Sequence, residues 1–200
     1  KGKKAAAILN GRYPNAARFF YTDLSDEAAI NQLYNDVLSN YGCPDVIFNN
    51  AAMVVTGRIG EVSLANWELS YAVNLRAPIL LTTLFLEEMK KRNSGSIVFV
   101  SSSGAAPFLS AYEIYKTAQV EFSNALSMEL ESTNVYTYTI APGLVKTETA
   151  EKSIETVASS MGMSTEEFYR QNEEHILDVQ DAGIGFAVST LMAGDYHGQE

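Results

Sequence analysis

Apolar residues in this chain follow two rhythms. Short, wholly apolar runs alternate with longer stretches in which apolar residues recur every three or four positions. The first rhythm predicts strands buried on both faces, the second helices with one buried stripe. Residues 1–10 read as the tail of a helix, with Gly11 as its stop. Ala17 to Thr22, rich in aromatics, predicts a strand ending at Asp23. Ser25 or Asp26 can cap a helix reaching about Asn40, with Ile30, Leu33, Tyr34, Val37 and Leu38 along one side. Gly42-Cys43-Pro44 breaks that helix, and Asp45 to Phe48 predicts a short buried strand running into Asn49-Asn50-Ala51-Ala52. After a loop holding Gly57 and Gly60, Ser63 caps a long helix to about Arg92.

Ile97-Val98-Phe99-Val100 is the next strand, and it stops in Ser101, Ser102 and Ser103. A helix from Tyr112 to about Leu130 follows, then a strand from Val135 to Ile140 that ends at Pro142-Gly143. Strands that alternate with long helices predict an α/β fold, a doubly wound parallel sheet covered on both faces. Residues 147–176 are polar, carry Met161 and Met163, and hold the capping box Ser164 to Glu167. They predict two short helices over the sheet edge, with 146–178 as a substrate lid. A last helix is expected from Asp178 to Ala193, stopped by Gly194. One domain accommodates all 200 residues.

Composition narrows the setting. A net charge of −10 disfavours nucleic acid and anionic membranes as partners. Cys43 is the single cysteine, so no internal disulfide and no zinc cluster is expected. The apolar run Pro78–Leu86 is too short to span a bilayer, and no signal peptide is visible. A reducing compartment, the cytoplasm, is the expectation.

The chemistry gathers around the serines. Tyr112 and Lys116 are four residues apart, so a phenol and an ammonium share one helix face. The serines lie at the carboxyl end of a strand, where open parallel sheets bind ligands. A nearby cation can bring a phenol toward working pH, and a hydroxyl can hydrogen-bond an oxygen as charge develops on it. Tyr115 has Gln119 rather than a lysine on its face. The ordinary alternative is a solvated Tyr–Lys face followed by a plain serine loop. Asn74 is an uncharged polar residue inside an apolar helical stretch, where propensity disfavours it.

In this order, these motifs resemble the short-chain dehydrogenase/reductase family over nearly the whole chain. The resemblance implies a Rossmann-like fold that uses NAD or NADP to interconvert an alcohol and a carbonyl. Tyr112 would be the acid/base, Lys116 would lower its pKa and bind the nicotinamide ribose, and Ser102 would orient the substrate oxygen. Ser103 is the rival; Ser102 is preferred because it matches the second serine of the family's pair. Asn74 would hold a relay water. Asp23 would hold the adenine end, Asn50, Ala51 and Ala52 would border the adenine ribose, and Pro142, Gly143, Val145 and Thr147 would face the nicotinamide. A homodimer or homotetramer through the two long helices is also implied.

Measured against the family, the chain lacks the glycine-rich turn, the first βαβ elements and the last strand. Gly183-Ile-Gly185 has no preceding strand and reads as close helix packing. Ala52 stands where the family has glycine, and Ser102 lies nearer Tyr112 than is usual. The competing reading is a truncated or degenerate fold acting as a non-catalytic binding or assembly subunit.

Overall fold

The computed structural model describes residues 1–200 apart from Ser103, Ala105 and the side chain of Thr149, so the alternative at Ser103 lies outside the described residues. Helices α1 (Gly2–Arg12) and α2 (Glu27–Tyr41) precede strand β1 (Val46–Asn49). A long helix follows in three parts: α3 (Leu64–Tyr71), a π-helical turn (Ala72–Arg76) and α4 (Ala77–Arg92). Next come β2 (Gly95–Val100), α5 (Ser110–Leu130), β3 (Val135–Ile140) and β4 (Leu144–Val145). The remainder is α6 (Glu148–Ser160), α7 (Thr165–Gln171), a 3₁₀ turn (Glu173–His175), β5 (Ile176–Leu177), α8 (Val179–Leu191) and α9 (Ala193–Tyr196).

The first three strands form one parallel sheet in the order β1-β2-β3, with Ile97 opposite both Ile47 and Thr137. Every residue of the central strand is buried, as its unbroken apolar run requires. Successive side chains point to opposite faces. Ile97 and Phe99 meet Met89 of α4 and Leu126 and Leu130 of α5 on one side. Val98 meets Tyr138 and Ala193 on the other. There the Tyr138 and Ser189 hydroxyls lie 3.0 Å apart, joining β3 to α8. Helices therefore cover both faces. The stripe on α2 turns Tyr34 onto Phe85 of α4, ring centroids 4.9 Å apart.

Several expectations are corrected. Gly11 lies inside α1, which runs to Arg12; Gly11 does not take the left-handed conformation that stops a helix. Residues 17–22 carry no regular secondary structure and form no strand. Ala17 is tied instead to the Asn10 side chain, through its N–H at 2.9 Å and its carbonyl at 2.8 Å, and no described strand lies beside the segment. Gly194 is within α9, because the chain already turns at Met192, after α8. Gly183 and Gly185 have open space where a Cβ would stand, so they serve no close packing. As one continuous helix, Leu64–Arg92 spans 29 residues, and an 18-residue window has a mean hydropathy of 1.4. It is long and apolar enough to cross a membrane, where the run Pro78–Leu86 alone is not. Here it seats Phe85 and Met89 in the core of the domain.

A second sheet has only two short strands. β4 and β5 pair in parallel, Leu144 with Ile176 and Val145 with Leu177. This ladder closes the base of the segment holding α6 and α7. The predicted capping box is present: Ser164 accepts from the Glu167 N–H at 3.1 Å, and Glu167 accepts from the Ser164 N–H at 2.9 Å.

Candidate active site

The end of β2 and the start of α5 build the site. The last ladder contact carries the Ser101 N–H to the Ile140 carbonyl, 2.9 Å, after which the chain leaves the sheet with Ser102 at its rim. α5 begins at Ser110, so Tyr112 and Glu113 fall in its first turn and Lys116 one turn on. The Lys116 Nζ stands 6.0 Å from the centre of the Tyr112 ring. The Ser102 hydroxyl donates to Glu113 Oε1 at 2.7 Å, and Ser102 lines the same cavity as the Tyr112 phenol. The structure thus brings hydroxyl, phenol and ammonium together. Ser102, Tyr112, Glu113, Gly143 and His175 line a cavity of about 760 Å³.

Burial sets the electrostatics. Lys116 is only 2% exposed, and its Nζ has no hydrogen-bond partner among the described residues. Burial lowers its pKa to about 8, against a smaller upward pull from Glu113. Glu113 is 5% exposed and its carboxyl is pushed up by burial, opposed by Ser102, the Gly104 N–H and Lys116. Tyr112 is held above the ordinary phenol value by burial and then by the Glu113 charge; Ser102 opposes them. Lys116 is not among the groups acting on the Tyr112 phenol, so the lowering expected of it is not seen here; burial and the neighbouring carboxylate set the direction.

Asn74 sits in the π-helical turn, fully buried. A π turn frees backbone groups from the regular helical ladder. Here the Asn74 carbonyl accepts from Gln119 Nε2 of α5. The side chain accepts from the Met53 N–H at 2.9 Å and donates to the Met53 carbonyl and Ser70 Oγ, both at 2.8 Å. Ser70 in turn donates to the Ala111 carbonyl. Asn74 therefore ties the loop after β1 to α3 and α5. Both Nδ2 hydrogens are committed to protein atoms, while Oδ1 and the backbone carbonyl each accept one bond and keep a second lone pair for the water implied by the resemblance.

The residues expected to hold the cofactor are spread more widely. Asp23 is exposed and accepts from the Ser25 N–H at 2.9 Å and the Ser25 hydroxyl at 2.7 Å, which lowers its pKa. Asn50, Ala51 and Ala52 are exposed, and neither they nor Asp23 line the cavity. The neighbouring Asn49 is buried, with its Nδ2 unpartnered among the described residues. Pro142 is half-buried, and Gly143 takes φ +70°, a left-handed conformation that favours glycine. Val145 belongs to β4. Thr147 caps α6 by accepting from the Ala150 N–H at 3.2 Å. The unpartnered Lys116 ammonium and Asn49 amide, with the side-chain-free backbone at Gly143, fit a nucleotide bearing ribose hydroxyls and a carboxamide.

Sequence reasoning missed Glu113, Ser70 and Gln119. A signal for two of them existed. Stepping back from Leu130 by threes and fours through 126, 123, 119 and 116 reaches 113, so Gln119 and Glu113 occupy the buried stripe of α5.

The short chain dehydrogenase family model matches residues 1–158. Dehydrogenase/reductase SDR family member 4 of Homo sapiens is 37% identical over 111 residues, covering 54% of this chain and 40% of that protein. The chain thus matches well under two thirds of that relative's length. A sorbitol-6-phosphate 2-dehydrogenase structure from Erwinia amylovora superposes with a TM-score of 0.88 at 22% identity, over 100% of this chain and 82% of that one. A metagenomic short-chain oxidoreductase in complex with NADP gives a TM-score of 0.66 at 28% identity, over 72% of this chain and 67% of that one. Sheet order, site and family match converge: the chain belongs to the short-chain dehydrogenase family.

Proposed function

We propose that the protein is an NAD(P)-dependent oxidoreductase acting on an alcohol/carbonyl pair. The observation that carries this reading is Tyr112 and Ser102 lining one cavity, with the unpartnered Lys116 ammonium 6.0 Å from the Tyr112 ring. Tyr112 gives a proton to the substrate oxygen in reduction and takes one in oxidation. Ser102 hydrogen-bonds that oxygen, and Lys116 supplies positive charge next to the phenol and a donor for a ribose hydroxyl. A bound nicotinamide supplies or accepts the hydride. Asn49 to Ala52, Gly143 and Val145 would hold the nucleotide, with Asp23 and Thr147 at its margins. NAD and NADP both suit this set, and the metagenomic relative was seen with NADP.

Residues 146–178 serve as the substrate lid of a single domain. Ile154, Val157, Met161 and Phe168 from α6 and α7 face the cavity and make its outer wall apolar. That wall favours a carbonyl on an apolar body. The site requires no nucleic acid and no membrane, and the acidic surface suits the cytoplasm. The exposed sides of Leu64–Arg92 and α5 are the surfaces through which a homodimer or homotetramer would form.

The test is Tyr112→Phe. Turnover should fall about 10²–10⁴-fold, the usual worth of a positioned acid/base, while affinities for NADH and NADPH by titration stay unchanged. Turnover equal to wild type would remove Tyr112 from the chemistry and the proposal with it.

A further inference from the structure

One proton is contested at the cavity wall. Ser102 has a single O–H, which it donates to Glu113 Oε1 at 2.7 Å. Tyr112 lines the same wall, and its phenolate would accept from that hydroxyl too. A substrate carbonyl beside Tyr112 would need that proton as well, because a carbonyl oxygen only accepts. An alcohol differs: its own O–H can donate to a serine oxygen whose proton points elsewhere.

The geometry points to Glu113 as the positioning residue that decides where the Ser102 proton is directed, and so whether the site holds a carbonyl or an alcohol more tightly. Glu113 lines the cavity, is almost wholly buried, and leaves Oε2 without a hydrogen-bond partner among the described residues. As a carboxylate it keeps the Ser102 proton, Ser102 offers the substrate only lone pairs, and the alcohol is favoured. As a carboxylic acid it donates to the Ser102 oxygen instead, which releases the Ser102 proton toward a carbonyl. The groups that bear on it are Tyr112 and Lys116 on its own helix, the Gly104 N–H on the incoming loop, and His175 from the 3₁₀ turn lining the same cavity. Because burial raises its carboxyl above the ordinary 4.5, the exchange falls above that pH. The consequence for substrates rests on the oxidoreductase reading; the coupling between Glu113 and Ser102 does not.

Two measurements on the whole protein test this. Infrared difference spectra against the isosteric Glu113→Gln variant isolate the carboxylic C=O band of Glu113, and its growth on acidification gives a titration midpoint. Ser102→Ala removes the donor and should move that midpoint to higher pH; an unmoved midpoint overturns the proposal. In parallel, KM is measured for acetophenone with NADPH and for 1-phenylethanol with NADP, in a His175→Gln background. As pH falls through the midpoint, the ratio of the two should shift about 10-fold toward the ketone, the worth of one Ser102 O–H to carbonyl hydrogen bond. Glu113→Gln should flatten that dependence, and should do so only while Ser102 is present. A wild-type slope in Glu113→Gln, or an undiminished slope in Ser102→Ala, overturns the proposal. If the infrared midpoint shifts but neither probe is turned over, the oxidoreductase reading fails and the Glu113–Ser102 coupling stands.

Discussion

Helix α5 buries one face along its whole length, yet its two halves bury opposite chemistry. Toward the C-terminus the stripe is Leu126 and Leu130, packed with Ile97, Phe99 and Val135. Toward the N-terminus the same stripe is Glu113, Lys116, Gln119 and Ser123. Only part of that polar half is satisfied internally: Ser123 and Thr137 hydroxyls lie 3.0 Å apart, whereas Lys116 Nζ, Glu113 Oε2 and Gln119 Oε1 have no partner among the described residues. Unpaired buried polar atoms are costly. The apolar half stabilises the fold, and the polar half draws on that stability to keep charged groups at the cavity.

Mutations on the two halves should therefore act in opposite directions. The largest effect is expected at Leu130→Ala, which empties a fully buried site and should cost about 2–5 kcal/mol. Denaturant unfolding measures it, and a loss below about 1 kcal/mol would mean that the C-terminal half does not anchor the fold. Lys116→Met should do the reverse. The lysine is protonated in both folded and unfolded states below pH 8, so the folded state bears the whole cost there. A fall in pKa from 10.5 to about 8 corresponds to about 3 kcal/mol. Lys116→Met should gain up to about that much at pH 7 while losing turnover. The wild type should close the gap as pH rises from 8 to 10.5, since its own stability increases over that window; a gap that stays constant would refute the assignment.

Asn74→Ala comes next, at about 2 kcal/mol, because it strips the Met53 N–H and carbonyl of their partners. Its distinguishing mark is faster hydrogen exchange at Met53 with α4 left protected. Ser164→Ala should cost least, about 1 kcal/mol, by removing half of a capping box at the exposed start of α7. Equal losses from Ser164→Ala and Asn74→Ala would erase the distinction between buried and surface polar contacts.

What could be read in the sequence follows the same division. Runs such as Ile97 to Val100 have one stable environment, and the capping serines carry their partners three residues away, so strands and helix starts were legible. The strand expected at residues 17–22 was not, since a strand depends on a neighbour that no local pattern encodes. The Tyr112–Lys116 face was legible because it needs only helical spacing. Glu113 escaped because a carboxylate in a helix is read as a solvated residue, and only the burial period counted back from Leu130 reveals otherwise. The Asn74 network was beyond reach: it joins residues 53, 70, 74 and 119 across three elements through hydrogen bonds that composition does not hint at.

The π-helical turn at Ala72–Arg76 holds the two arms of the long helix in a rotational phase that a regular helix with the same number of residues could not keep. Before it, Ser70 faces α5; after it, Phe85 and Met89 face the sheet and α2. A π turn takes up one residue more than an α turn, so removing one from it would restore uniform winding with the arms close to their present phase. A deletion at the start of α4 would instead swing everything downstream by about 100°, the angle per residue of an α-helix. A one-residue deletion there would expel methionine and phenylalanine into water, whereas a like deletion at the Gly57–Gly60 loop would be absorbed by slack.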